Sequence, residues 1–273
     1  MNTPEITING LWIGDKLSPI SQLTIRSFQR QGYTFRLWIY DEVQRIPEGT
    51  VIADAGKIIP ASEVFSYKKA STLGVGKGSF AGFSDLFRYK LLLEEGGVWS
   101  DMDITCLHEM IELKGEYFFR DHHKIQAVGN LMKAPKGSEL MQYCYDRTKM
   151  MVTADNRDWM LPIKILNSGI SKFQLKRFID KISNDDKFPE VAGLLKGTAS
   201  IPRQWKLVHW MNEEFRRLQL PDNAFLPSSE IARLLDQHQI GYHVLEGSDE
   251  LEYRRKLSRL RYVWLSLMGR VLR

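Results

Sequence analysis

The stretch SDLFRYKLLLEEGGVWSDMDI, residues 84–104, decides the fold. A helix is predicted from about Ser79 or Ser84 to Glu95, with Phe83, Leu86, Phe87, Leu91 and Leu93 toward the core. Gly96-Gly97 stops it. A short apolar strand, Val98-Trp99, follows at once and ends on Asp101-Met102-Asp103. A helix that returns through a glycine turn into a buried strand is the repeating unit of α/β proteins. In open sheets of that kind, ligands bind outside the carboxyl ends of the strands. The two aspartates stand at such an end.

Their spacing points to chemistry. In an extended chain, residues i and i+2 project to one side, which sets the carboxylates about 7 Å apart. Two such charges repel unless a cation lies beside them. A divalent ion meets that need, since Mg²⁺ and Mn²⁺ prefer oxygen ligands and commonly bind one or two carboxylates plus substrate phosphates. An isolated D-x-D also reads as two solvated aspartates in a turn; the buried strand before this one favours the site. Asp85 and Arg88 sit three apart on the preceding helix and so share a face. They read either as a surface ion pair or as a rigid donor/acceptor pair for sugar or ribose hydroxyls.

Outward from this segment the pattern persists. Ile6, Ile8, Leu11 and Ile13 form an apolar opening, and Ser18-Pro19 is an N-cap followed by proline in the first turn. Ile20, Leu23, Ile25 and Phe28 mark a helix that ends near Gly32. Phe35, Leu37 and Ile39 then alternate with Arg36, Trp38 and Tyr40, which is strand periodicity. Strand, helix and strand in that order predict a parallel pair. Residues 41–78 are mixed. Further α/β material is expected to about residue 135, and mostly helices to about 240.

Composition narrows the class. The 273 residues are 43% hydrophobic and 26% charged, with net charge +5, which excludes disordered, collagen-like and coiled-coil chains. No run approaches the length of a membrane span, and MNTPEITING has no signal-peptide pattern. Cys106 and Cys144 make neither a disulfide framework nor a zinc motif, so reduced thiols in a cytosolic compartment are expected. The charge is concentrated at one end. Residues 254–273 hold seven basic and no acidic residues, and the remainder has a net charge of −2. Tyr253, Leu257, Leu260, Trp264, Leu267 and Val271 follow helical spacing there. The segment reads either as a helix packed on the domain or as an interfacial helix on anionic lipid. No nucleic-acid motif is present.

Taken in order, S-D-x-x-R-Y-x-x-L-x-x-x-G-G-x-W-x-D-x-D resembles the glycosyltransferases with a DXD-containing sugar-binding region. These are family 32 in the usual grouping, with bacterial members in capsule, lipopolysaccharide and exopolysaccharide synthesis. LWIGDKLSP at 11–19 and YDEVQRIPEGTVIADAGKIIP at 40–60 resemble flanking parts of that family. VHWMNEEFRR at 208–217 resembles a late V-H-x-W-N-E-type motif, although here Trp210 directly follows the histidine.

The resemblance implies a GT-A (Rossmann-like) α/β fold with a helical C-terminal part. Residues 1–253 would be the catalytic domain and 254–273 a basic amphipathic helix. It implies a retaining transferase that uses Mn²⁺ or Mg²⁺ and a nucleotide sugar, with a UDP-hexose favoured over GDP-mannose. Asp103 would bind the metal directly, Asp101 would bridge ribose, metal water and donor sugar, and His209 would reach the metal or diphosphate. Asp85 and Arg88 would hold donor hydroxyls, and Trp12 would lie against the nucleobase. Asn130 and Asn167 are candidate sugar contacts. The acceptor would be a saccharide or lipid-linked glycan. The enzyme would be cytoplasmic, peripheral on the inner face of the plasma membrane through its tail. Two other functions use similar residues: a nucleotidyltransferase that forms sugar nucleotides, and a non-catalytic carbohydrate-binding protein on a transferase fold. The first usually carries a glycine-rich phosphate loop, and LWIGDKLSP has one glycine. The intact D-x-D with Asp85 and Arg88 argues against the second.

Overall fold

The structure, a computed structural model, describes residues 6–184 and 186–258. The opening segment folds as expected. β1 (Thr7–Trp12), α1 (Pro19–Arg30) and β2 (Thr34–Ile39) form a parallel unit in which Thr7 pairs with Thr34 and Trp12 with Ile39. The Ser18 hydroxyl accepts the Ser21 N–H at 3.1 Å, which starts α1. β3 (Val51–Asp54) adds in parallel beside β2. α2 (Ala81–Glu94) then returns the chain to β4 (Gly97–Ser100), parallel to β1. Both turn glycines have positive φ, 68° at Gly96 and 94° at Gly97. A side chain at Gly96 would also meet the Lys136 backbone nitrogen at 2.5 Å, so this turn requires glycine.

The rest of the chain completes the sheet and covers it. In order come β5 (Ile104–Cys106), β6 (Phe118–His122), β7 (Gln126–Ala134), α3 (Glu139–Met151), α4 (Leu161–Lys172) and β8 (Ile179–Asp180). They are followed by α5 (Phe188–Lys196), β9 (Leu207–His209), α6 (Asn212–Leu218), β10 (Ala224–Phe225), α7 (Glu230–Gln237) and β11 (His243–Val244). The main sheet has seven strands in the order β3-β2-β1-β4-β7-β6-β8. Only β7 runs against its neighbours. This is a mixed α/β architecture, a mostly parallel sheet covered by helices. Strand order reverses between β1 and β4, the switch point at which such sheets bind ligands.

Beyond α4 the regular structure of the described residues is mostly helical, with four short strands, β8 to β11, that periodicity does not reveal. β8 joins the main sheet, and β9 pairs antiparallel with β5, matching His209 to Ile104. That pairing brings the late histidine to the D-x-D. In α2, Phe83, Leu86, Phe87 and Leu91 are buried as predicted. Leu93 is only partly buried, whereas Tyr89 and Leu92 are fully covered. The helix lies between the sheet and α3, so it buries two faces rather than one.

A second core holds α5, α6 and α7, and Tyr253 and Leu257 belong to it. They lie on a helix of residues 247–258 that begins before position 254. The tail beyond 258, with most of the expected basic face, lies outside the described residues. Cys106 and Cys144 are free and buried. Among the described residues, no helix is long and apolar enough to cross a membrane.

Candidate active site

β4 ends at Ser100, and the two aspartates follow in a turn. This corrects the extended spacing expected for them. Met102 between them is buried in the core, and each aspartate has its own surroundings. Asp101 Oδ1 accepts the Trp99 indole N–H at 2.8 Å and pairs with Arg88 Nη2 at 3.0 Å. Its backbone N–H donates to the Asn130 carbonyl at 2.7 Å. The same Arg88 Nη2 reaches Asp85 Oδ1 at 3.3 Å, and the guanidinium lies 5.2 Å from the centre of the Trp99 ring. Arg88 is 5% exposed, so this is an interior group and not a surface ion pair. At Gly129 a side chain would stand 2.9 Å from Arg88 Nη1; the glycine leaves room for the guanidinium. Burial pushes the Asp85 carboxyl up to about 6, with Arg88 opposing and Asp101 adding to the rise. Burial also raises Asp101, against the pull of Arg88.

Asp103 faces the C-terminal half of the chain. Its Oδ2 accepts the Asn212 N–H at 2.9 Å and lies 3.4 Å from His209 Nε2. Its carbonyl accepts the N–H of Trp210, whose buried indole donates to Thr105 at 2.8 Å and anchors β9 on β5. His209 Nδ1 donates to Asp186 Oδ1 at 2.7 Å. Burial works against a charged ring, but the Asp103 and Asp186 carboxylates outweigh it and raise His209 to about 10. His209 is therefore an imidazolium with both nitrogens donating, and Asn130 Nδ2, 3.2 Å from Nδ1, is a neighbour rather than its donor. As placed, the ring offers no lone pair; metal ligation by Nε2 requires that proton to leave. Burial penalises the Asp103 and Asp186 charges too, yet His209 holds Asp103 below its ordinary value. Arg120 and His209 hold Asp186 well below the usual carboxylate range. His122 Nε2 is 3.9 Å from Asp186, but burial pushes its pKa down to about 4, so it is neutral.

Asn130 joins the two halves. The β6–β7 register shifts between Phe119 and Arg120: Phe119 pairs with Met132 and Arg120 with Val128. The irregularity leaves Asn130 in the extra length of β7. There its carbonyl takes the Asp101 N–H and its Oδ1 takes Arg120 Nε at 2.9 Å. Such bulges re-aim side chains beside active sites. Asn167 stands apart. Its amide holds both backbone groups of Ala127, at 3.0 and 2.8 Å, and the Ile163 carbonyl, which clips α4 to β7. Trp12 lies at the end of β1, and its buried Nε1 has no partner among the described residues.

Several oxygens at this site are not engaged. Asp101 Oδ2 and Asp103 Oδ1 have no hydrogen-bond partner among the described residues. Asn212 Oδ1 is buried without one, next to the N–H that holds Asp103. These hard oxygens at a strand terminus suit Mg²⁺ or Mn²⁺. Among the described residues, no three His, Cys, Asp or Glu side chains converge as a ready-made metal cage. Mg²⁺ sites commonly consist of one or two carboxylates completed by substrate phosphates and water.

Arg120, Asp186, Asn184 and Asn212 also belong to the site, and the first three lie outside the motifs the sequence displays. Arg120 carries a signal: it follows Phe118-Phe119 in an apolar strand and has no exposed surface. Asp186 and Asn184 carry none, since only the tertiary fold brings them to His209.

Residues 41–120 match the family model of the glycosyltransferase sugar-binding region containing a DXD motif. The match contains Asp85, Arg88, Asp101 and Asp103, and it supports a transferase. No curated protein sequence matches the chain. Among solved structures it is similar to the PaToxG glycosyltransferase, with 12% identity, TM-score 0.43, and coverage of 93% of this chain and 84% of that one. It is similar also to the glycosyltransferase GlyE of Streptococcus pneumoniae TIGR4, with 10% identity and TM-score 0.41, over 86% of this chain and 63% of that one.

Proposed function

We propose, with residues 41–120 as a DXD-containing sugar-binding region, that this protein is a metal-dependent retaining glycosyltransferase. It moves a hexose from a nucleotide sugar, a UDP-sugar in preference to GDP-mannose, to a saccharide or lipid-linked acceptor in cell-surface polysaccharide synthesis. The observation that carries this reading is the pairing of unengaged Asp101 and Asp103 oxygens with the buried Asp85–Arg88 pair at the switch point of the sheet.

Lewis-acid stabilisation of the departing diphosphate is what Mn²⁺ or Mg²⁺ supplies when bound; Asp103 and Asp101 would hold it. The protein's own residues do the rest by positioning. Arg88 is fixed by Asp85, Asp101 and the Trp99 face, so its remaining N–H groups are preorganised for hydroxyls of the donor. Contacts of this kind tighten as the sugar gains oxocarbenium character. Trp12 offers a ring face to a nucleobase and an unpartnered N–H at its edge; base stacking of this type is worth about 1–3 kcal/mol. No side chain is assigned as a nucleophile. The acceptor oxygen bonds to the anomeric carbon on the face the diphosphate leaves, the bond from that carbon to the phosphate oxygen breaks, and the hydroxyl proton passes to the departing phosphate oxygen; orientation of the two substrates supplies much of the rate. The basic tail places the enzyme on an anionic membrane surface beside a lipid-linked acceptor.

The test is a donor-hydrolysis screen of UDP-glucose, UDP-galactose, UDP-N-acetylhexosamines and GDP-mannose, with Mn²⁺, Mg²⁺ or EDTA. One donor should be cleaved with metal and not in EDTA, and Asp103→Asn should abolish cleavage in a folded protein. Activity that survives both EDTA and Asp103→Asn refutes the metal role. Absence of cleavage of every donor, together with no calorimetric binding of any of them in Mn²⁺, refutes the transferase.

A further inference from the structure

A line of buried polar groups leads from Arg120 to Asp103, and the transferase reading assigns no role to its far end. Arg120 is fully enclosed, and each nitrogen of its guanidinium has a partner. Nε donates to Asn130 Oδ1, Nη1 donates to Ser183 Oγ at 2.6 Å and the Asn184 carbonyl at 2.9 Å, and Nη2 meets Asp186 Oδ2. The other Asp186 oxygen takes His209 Nδ1. Asn184 clamps the His209 backbone in both directions: Nδ2 donates to its carbonyl at 3.2 Å, and Oδ1 accepts its N–H at 2.9 Å. The ring of His209 then faces Asp103 Oδ2.

The backbone is constrained at the same places. Asp186 has φ 54° and Met211 has φ 60°, in the left-handed region that non-glycine residues rarely adopt. Met211 there aims the Asn212 N–H at Asp103. Strain of this kind persists where surrounding contacts over-determine it, and it clusters at functional sites. A buried ion network is also not the most stabilising way to fill an interior, since apolar residues of equal volume do as well or better. What this network delivers is direction.

We propose that Arg120 and Asp186 are positioning residues for the diphosphate end of the donor site. Arg120 fixes Asp186, Asp186 fixes the ring of His209, and His209 with Asn212 holds Asp103 by one oxygen. The second oxygen of Asp103 is thereby kept in place for the cation. This rests on the reading of Asp103 as a metal ligand. Groups behind a ligand commonly change metal affinity about 10- to 100-fold when removed.

The perturbation is Asp186→Asn, which keeps the shape and one acceptor. Mn²⁺ is titrated into the full chain with UDP or GDP present, beside wild type and Asp103→Asn. Asp186→Asn should weaken Mn²⁺ about 10- to 100-fold with an unchanged circular dichroism spectrum. Donor hydrolysis should recover when Mn²⁺ is raised, which a general structural defect would not allow. A second readout needs no metal: in ¹⁵N-labelled protein the His209 Nδ1 proton should exchange slowly in wild type and rapidly in Asp186→Asn. Should Asp186→Asn not fold, Arg120→Met with Asp186→Asn removes both charges together, and the same outcomes apply. Loss of Mn²⁺ in Asp103→Asn with Mn²⁺ affinity in Asp186→Asn within about twofold of wild type overturns the positioning role alone. Equal binding by wild type and Asp103→Asn, or none by either, overturns the metal reading and this inference with it. A rapidly exchanging Nδ1 proton in wild type overturns the geometry.

Discussion

His209→Gln tests the electrostatics of the site most directly. An ordinary histidine titrates near 6.5, whereas His209, between Asp103 and Asp186, is raised to about 10. The folded chain therefore holds this proton more tightly than the unfolded chain. The stabilisation is fully present below about pH 6.5 and drains away as pH climbs to about 10. At about 1.4 kcal/mol per pH unit, that window has an upper bound of about 5 kcal/mol. Glutamine fills similar space without the charge. Asp186 would keep Arg120 and Asp103 would keep the Asn212 N–H, so the loss falls at the low end of the range for a broken buried pair, about 3 kcal/mol. The assay is urea unfolding followed by tryptophan fluorescence in EDTA, for both proteins, at pH 6, 8 and 10. The difference should be about 3 kcal/mol at pH 6 and shrink toward zero at pH 10. A difference below about 1 kcal/mol at pH 6, or one that does not change with pH, refutes a buried imidazolium.

Arg88→Lys keeps the charge but loses the fork that spans Asp85 and Asp101; donor hydrolysis should fall about 10- to 100-fold, the equivalent of one charge-assisted hydrogen bond, and the melting temperature should fall because a buried carboxylate loses its partner. Asn167→Ala should cost about 1–3 kcal/mol in urea unfolding because it releases Ala127 and Ile163, while donor hydrolysis stays at the wild-type rate; a selective rise in donor KM would instead make Asn167 a sugar contact. Deleting residues 259–273 removes four arginines but keeps the buried Tyr253 and Leu257. At about 1 kcal/mol per basic residue near an anionic surface, that deletion should abolish co-sedimentation with anionic liposomes and spare donor hydrolysis. An insoluble truncation would make the tail part of the core.

What the sequence makes legible is whatever is local. The β1–α1–β2 unit follows from alternation, a Ser-Pro cap and 3.6-residue periodicity, and residues 84–104 carry helix, turn, strand and carboxylates in one run. Asp85, Arg88 and Asp101 meet because helix geometry and a glycine turn dictate it, so three side chains of the site could be named from 17 residues. The turn at Asp101–Asp103 is not legible as such, since the partners of Asp103 within it, Asn212 and His209, lie more than 100 residues away in sequence. β8 and β9, two and three residues long, are too short to show a period. Asn167 reads from the sequence as a candidate sugar contact, yet its amide answers the backbone groups of Ala127, which sequence alone does not display.

The site is therefore built in two ways, and this bears on how it fails. The Asp85–Arg88–Asp101 half comes from one contiguous segment, so its geometry is set once α2 and β4 pack. The Asp103–His209–Asp186–Arg120 half exists only when β9 has paired with β5 and Asn184 and Asp186 have met Arg120 on β6. Closing such long loops is entropically costly, and the cost is offset by buried polar contacts that tolerate no missing partner. Damage at Asp85 or Arg88 should weaken donor contacts first and leave Asp103 in place, whereas loss of Asp101 should weaken both donor and cation. Damage anywhere in the second, including Asn184 and Met211, which need touch no substrate, should displace Asp103 and weaken the cation while Arg88 stays in place. A mutation scan that reads Mn²⁺ affinity and nucleotide-sugar affinity separately would divide the residues along that line. A scan in which both affinities fall together at every position would show that the two halves act as one unit.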